Sequence, residues 1–169
     1  GRNAALREAR GEYLAFMDND VVVGMRSWVE KLTDRLTPES GAGIVGPRIL
    51  LAEPPHLIQC AGCVVARGGR VGFRARGLPS SEGPAGGEVQ ALISACWLMR
   101  REVYEKLGEL DLQFQPVQFE DIDYCYQARQ AGWKVLYAPE VSVYHFENVT
   151  TDGTPRLNYR YLTVKNGLK

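Results

Sequence analysis

This 169-residue chain has no long run of lysine or arginine and no excess of either charge. Twenty basic residues balance twenty acidic ones, so the formal net charge is zero. That balance argues against a dedicated nucleic-acid or membrane-surface binder, which needs one sign in excess. No apolar stretch approaches the ~20 residues that span a bilayer. No secretory leader is visible, and the natural start of the protein need not be Gly1. Histidine is scarce, with only His56 and His145. Cysteine is limited to Cys60, Cys63, Cys96 and Cys125. Cys60 and Cys63 have the C-x-x-C spacing of zinc and redox sites, but no second such pair exists. Both lie in an apolar, strand-like stretch, which reads as small buried hydrophobes in a reducing compartment. There is no internal repeat and no low-complexity tract. Length and ordinary apolar and charged fractions imply one domain, residues 1–169, or part of one, with a real core.

The patterning alternates between strands and helices. Asn3 to Ala9 reads as a helix stopped by Gly11. Tyr13 to Met17 is apolar without alternation, as in a parallel strand covered on both faces. Ser27-x-x-Glu30 has the form of a capping box, opening a helix with Trp28, Val29, Leu32 and Leu36 on one face. Gly43 to Pro47, Ile49 to Leu51 and Gln59 to Ala66 are strand candidates, the last followed by a Gly68-Gly69 turn. Gly77 to Gly87 reads as a mobile loop. Val89 to Met99 is the longest apolar stretch and is expected to be a central strand. Glu102 to Leu107 and Asp121 to Ala131 read as helices ended by Gly108 and Gly132. Lys134 to Tyr137 and Val141 to His145 are expected as two strands separated by Pro139. A loop is expected over Asn148 to Pro155 and a helix over Tyr159 to Leu168.

Two acidic clusters carry the functional signal. Asp18-Asn19-Asp20 directly follows the apolar run of residues 13–17. Carboxylates at the exit of a buried strand suit a hard divalent cation that carries phosphate oxygens. Turn chemistry is the competing reading of that tripeptide. Glu120-Asp121-Ile122-Asp123 opens a helix, where acidic residues meet the macrodipole favourably. Three carboxylates in four positions repel one another, which suggests that some face a cation or a substrate proton. Asp123 fits a structural role best. His145 ends an alternating strand, where a histidine is either a hydrogen-bonded rim residue or a metal ligand. Trp97 and Trp133 read as core aromatics, with an acceptor pocket as the alternative for Trp97.

Taken in order, these pieces resemble family 2 glycosyltransferases. The matching segments are Asn3-Ala4-Ala5 with Gly11 to Leu14, Asp18 to Asp20, Gly46-Pro47, Ser94 to Arg101, Leu107 to Asp111, Phe119 to Asp123, Ala131 to Val135, and Val143 to His145. The resemblance implies an α/β domain of the A-type nucleotide-sugar transferase fold, with a mixed, mostly parallel sheet flanked by helices. It implies that Asp20 is the direct ligand of a Mn²⁺ or Mg²⁺ ion, with Asp18 and His145 completing the metal shell. Asp18 and Asn19 would contact the nucleotide-diphospho-sugar donor. Asp121 would be the base for the acceptor hydroxyl, and Glu120 would help to place that base or the acceptor. The implied product is an inverted glycoside on a carbohydrate, lipid-linked or protein acceptor.

The chain also departs from the pattern. Gln127 stands where many members carry arginine. The Gln-x-x-Arg-Trp element of processive synthases is absent, which points to a non-processive enzyme. The nucleobase-binding strands of the family are expected to precede Gly1. Without them residues 1–169 would be inactive alone, bind donor poorly and self-associate through an exposed sheet edge. The expected setting is cytoplasmic, including the inner face of a membrane. A degenerate binding or scaffolding domain and a carboxylate–metal phosphohydrolase or nucleotidyltransferase are the rival readings.

Overall fold

Pairing of short strands brings both acidic clusters to one end of a mixed sheet. The computed structural model describes residues 1–67, 69–114 and 119–146. Gly68, the loop expected over Asn148 to Pro155 and the helix expected over Tyr159 to Leu168 lie outside the described residues. The chain opens with α1 (Arg2–Glu8), which buries Leu6. Strands β1 (Tyr13–Met17) and β2 (Val21–Val23) are joined by the tight turn that holds Asp18 to Asp20. Helix α2 (Trp28–Thr33) leads into β3 (Ala42–Leu51). Then come β4 (Ile58–Cys60), β5 (Cys63–Val65), β6 (Val71–Phe73) and β7 (Gly87–Glu88). Strand β8 (Cys96–Arg100) runs into α3 (Arg101–Leu107), and α4 (Glu120–Gln130) into β9 (Lys134–His145). The main sheet has the order β1-β8-β3-β9-β2, with β4 on β3 and β7 on β9; β5 and β6 form a separate hairpin.

The sheet is mixed, but the expectation of mostly parallel pairing is corrected. Only β3 and β9 run parallel among the described strands, and every other pair is antiparallel. The reason lies in β1. Its apolar composition hides an alternation in burial, with Leu14 and Phe16 inside and Ala15 and Met17 exposed. A strand covered on one face suits antiparallel pairing, here with β8.

Several element boundaries also differ from expectation. The two strands expected around Pro139 are one strand, because the β3–β9 register slips from Pro47↔Ala138 to Arg48↔Ser142. A proline has no N–H for the ladder and is tolerated at such an irregularity. The strand expected from Gln59 to Ala66 breaks at Gly62, whose φ is 91°. A side chain at Gly62 would also meet Val89 Cγ1 at 2.7 Å. Cys60 and Cys63 therefore flank a bend rather than sharing one strand. The long strand expected from Val89 is ordered as strand only over Cys96–Arg100. Residues before it spend their backbone groups elsewhere: Ala91 on Cys63, Ser94 on Asp121 and Ala95 on Asp18. The capping box does not form, since the Ser27 side chain makes no cap bond and its backbone is not extended. Leu32 and Leu36 are buried as expected, but Val29 is 40% exposed.

Aromatic packing sits beneath the site. Phe16 meets Trp97 edge-on, with centroids 5.6 Å apart, and Trp97 lies against Tyr124. The Tyr124 hydroxyl donates to the Gly108 carbonyl at 2.9 Å, fastening α4 to the end of α3. Trp97 has no accessible surface, so its enclosure fits a core aromatic rather than the lining of an open acceptor pocket. The four cysteines are free and buried. Cys60 and Cys63 lie 3.8 Å apart, sulfur to sulfur, and their hydrogen bond, together with burial, holds the Cys63 thiol far above its ordinary value.

Candidate active site

The β1–β2 turn supplies the first cluster. The Asp18 N–H donates to the Ala95 carbonyl, and the Val21 N–H returns to the Asp18 carbonyl. Strand β2 pairs with the end of β9 so that Val21 faces His145, and Phe146 N–H donates to the Asp20 carbonyl. Asp20 is thereby fixed beside the histidine, with Asp20 Oδ1 3.3 Å from His145 Nε2. The opposite ring nitrogen, Nδ1, lies 2.8 Å from Gln59 Oε1. An acceptor there favours the Nδ1–H tautomer and leaves Nε2 available as a ligand. Asp18, Asp20 and His145 each offer a ligand atom, and these atoms all lie within 4.8 Å of one another. Two carboxylates and an oriented imidazole fit Mn²⁺ or Mg²⁺. Asn19 is exposed at the tip of the same turn.

Helix α4 supplies the second cluster. It starts after Phe119, whose φ of 74° is a rare conformation for a bulky residue. The turn so made delivers Glu120 and Asp121 at the helix N-terminus. Asp121 Oδ2 accepts from the Ser94 N–H at 2.9 Å, and Oδ1 from the Ile122 N–H at 2.8 Å. Burial and, after it, the neighbouring Glu120 push the Asp121 carboxyl up to about 6, against the pull of those hydrogen bonds. Asp123 turns to Gln127, whose Nε2 donates to it at 2.6 Å, as suits a structural carboxylate. That bond also gives Gln127 a local use in this chain.

The clusters meet through two connections. Adjacent residues Ser94 and Ala95 bind Asp121 and Asp18 respectively. Arg2 spans the gap directly, with Nη2 2.6 Å from Asp18 Oδ1 and Nη1 2.7 Å from Glu120 Oε1. Glu120 Oε2 is buried and has no hydrogen-bond partner among the described residues. A cleft of about 640 Å³ opens beside this pair, between the start of α1 and residues 109–114, with Arg2 and Glu120 in its wall. Asn3 holds the far wall through two bonds with the backbone of Leu110, at 2.8 and 3.0 Å.

Arg2, Gln59 and Ser94 were not among the residues expected from sequence. Each acts through partners distant along the chain, and no local spacing signals it. The nearest hints are the position of Arg2 immediately before the Asn3-Ala4-Ala5 segment and that of Ser94 at the head of the matching segment Ser94 to Arg101.

Residues 1–162 match the family described as glycosyltransferase-like family 2. The chain belongs to glycosyltransferase family 2. It is 33% identical over 93% of its length to O-antigen biosynthesis protein RfbC of Myxococcus xanthus, covering 13% of that protein. It is 31% identical over 94% of its length to protein y4gI of Sinorhizobium fredii, covering 18% of that protein. The chain thus spans less than a fifth of either relative. Among solved structures, GalNAc-T7 with UDP, GalNAc and Mn²⁺ superposes with a TM-score of 0.67 at 18% identity, over 85% of this chain and 29% of that one. The mannosyltransferase PcManGT of Pyrobaculum calidifontis, with GDP-Man and Mn²⁺, gives 0.53 at 16% identity, over 96% and 38%. These likenesses establish the A-type transferase fold for this family 2 domain.

Proposed function

We propose that this domain serves a metal-dependent, inverting, non-processive transfer of sugar from a nucleotide-diphospho-sugar to an acceptor hydroxyl. The observation that carries the reading is the joining of the Asp18–Asp20–His145 cluster to Glu120 and Asp121 through Arg2 and Ser94–Ala95. Asp18, Asp20 and His145 would hold the divalent cation, which supplies charge neutralisation for the leaving diphosphate. Gln59 keeps the histidine ring turned for that task. Arg2 neutralises Asp18 and Glu120 at once and ties the donor side to the acceptor side.

Asp121 is the proposed base. A carboxyl near 6 is mostly ionised at neutral pH yet more basic than an ordinary aspartate, which suits proton removal from a hydroxyl. Glu120 lines the neighbouring cleft and is held by Arg2, where it would help to place Asp121 or the acceptor. Direct displacement with one base inverts the anomeric centre. The name of the Myxococcus relative supports an envelope polysaccharide as product. Four buried, free thiols accord with a cytoplasmic setting.

Transfer assays on the protein at its full natural length test the assignment. Asp121→Asn should lower turnover by at least ~100-fold, the usual worth of a general base, while donor binding persists. Asp20→Ala should instead weaken donor binding in the presence of metal. Near-normal turnover of Asp121→Asn would assign the base to another residue.

A further inference from the structure

The zero net charge of the chain conceals a local segregation. Arg67, Arg70, Arg74 and Arg76 fall close together, and no aspartate or glutamate stands between Glu53 and Glu82. These arginines belong to the β5–β6 hairpin, which pairs with itself outside the main sheet. Arg67 and Arg70 lie in its connection, and Arg74 and Arg76 follow β6. Arg67, Arg70 and Arg76 are exposed, and Arg74 is half-buried. Among the described residues, Arg67, Arg70 and Arg74 have no ion-pair partner. Arg76 lies over the Phe73 ring, 5.7 Å from its centroid. Apolar side chains accompany the charge, with Val64 47%, Phe73 37% and Leu78 41% exposed.

We propose that this hairpin docks the domain onto a membrane surface rich in anionic lipid headgroups. Guanidinium groups pair with headgroup phosphates in bidentate fashion. Their aliphatic stems lie along apolar surface while the charge stays at the water boundary. Val64 adds apolar area that can enter the interfacial layer, whereas Phe73, in register with buried Cys63, lies on the other face of the hairpin. Interfacial binding scales with both quantities together. A soluble polyanion would satisfy the arginines but has no use for an exposed valine. The hairpin is rooted beside the carboxylate cluster. Ile58 exchanges backbone bonds with Gly77 and Leu78, and its neighbour Gln59 holds His145. Docking through the hairpin therefore fixes the site relative to the headgroup layer, whatever reaction the site performs.

Vesicle flotation of this chain tests the proposal. Phosphatidylcholine vesicles with a third of phosphatidylglycerol should bind it, and pure phosphatidylcholine vesicles should not. Binding should fall as salt rises and the screening length shortens. Arg67→Gln and Arg70→Gln should each weaken binding about fivefold, the usual contribution of one basic residue near an anionic surface. Val64→Ser should weaken it further without altering charge. Arg10→Gln with Arg26→Gln removes two exposed charges elsewhere and should leave binding intact. Thermal melts of each variant should match the parent, since the altered side chains are exposed. Equal binding to neutral vesicles, or an equal loss in the Arg10/Arg26 control, would overturn the proposal. So would tighter binding to single-stranded RNA than to the anionic vesicles.

Discussion

Asp121 carries two opposed demands. As the base we propose, it must be ionised, yet burial and Glu120 disfavour that form and lift the carboxyl to about 6. Transfer should therefore fall as pH drops through about 6, as the base becomes protonated. Stability should move the other way. Between about 4 and about 6 the native carboxyl holds a proton that the unfolded chain has released, so stability declines as pH rises across that window. At neutral pH the penalty is on the order of 1–3 kcal/mol. Asp121→Asn should consequently melt higher than the parent at pH 7, and that advantage should vanish below about pH 4. Melting curves of both proteins over this range check the sign. A lower melting temperature for Asp121→Asn at pH 7 would mean that the hydrogen bonds from Ser94 and Ile122 outweigh desolvation. The acidic residues and His145 were legible because they lie in short motifs. Arg2, Gln59 and Ser94 were not, because their partners come from distant segments and ordinary residue types give no local sign of them.

Strand β4 and the hairpin after it depend on one bend. Gly62 adopts φ 91°, and an added Cβ would lie 2.7 Å from Val89 Cγ1. Gly62→Ala should cost about 1–3 kcal/mol, since the new methyl meets both a disfavoured backbone and a packed side chain. Denaturant unfolding measures this, and an unchanged midpoint would show that Val89 gives way freely. The same region shows why element boundaries were partly hidden. Hydrophobic runs locate strands but do not say where a chain leaves a sheet. Gln59 to Ala66 reads as one strand because the run is largely apolar, and the close approach of Val89 that glycine permits at position 62 comes from far along the chain. Lys134 to His145 reads as two because Pro139 usually breaks a ladder, and only the slipped partner strand absorbs it. Helices ended by Gly108 and Gly132 were legible, since their stop signals are local.

The sheet as a whole turns two weak motifs into one site. Antiparallel β1–β8 and β2–β9 pairing and parallel β3–β9 pairing bring residues 18–20, 94–95 and 145 together. The α/β class and the A-type fold were readable from the order of segments. The direction of pairing was not, because apolar composition in β1 does not reveal that only one face is covered. Segregated charge in the β5–β6 hairpin was equally invisible to a net-charge argument. In the proposed function, Asp18, Asp20 and His145 bind a cation that holds donor diphosphate. The most direct test is calorimetric titration of the full-length protein with UDP-, GDP- and dTDP-sugars, with Mn²⁺ and with chelator, for the parent and Asp20→Ala. Mn²⁺ should strengthen binding of one donor by at least tenfold in the parent, and Asp20→Ala should abolish this gain. Donor binding that is identical with Mn²⁺ and with chelator, or a gain that survives Asp20→Ala, would contradict the proposed function.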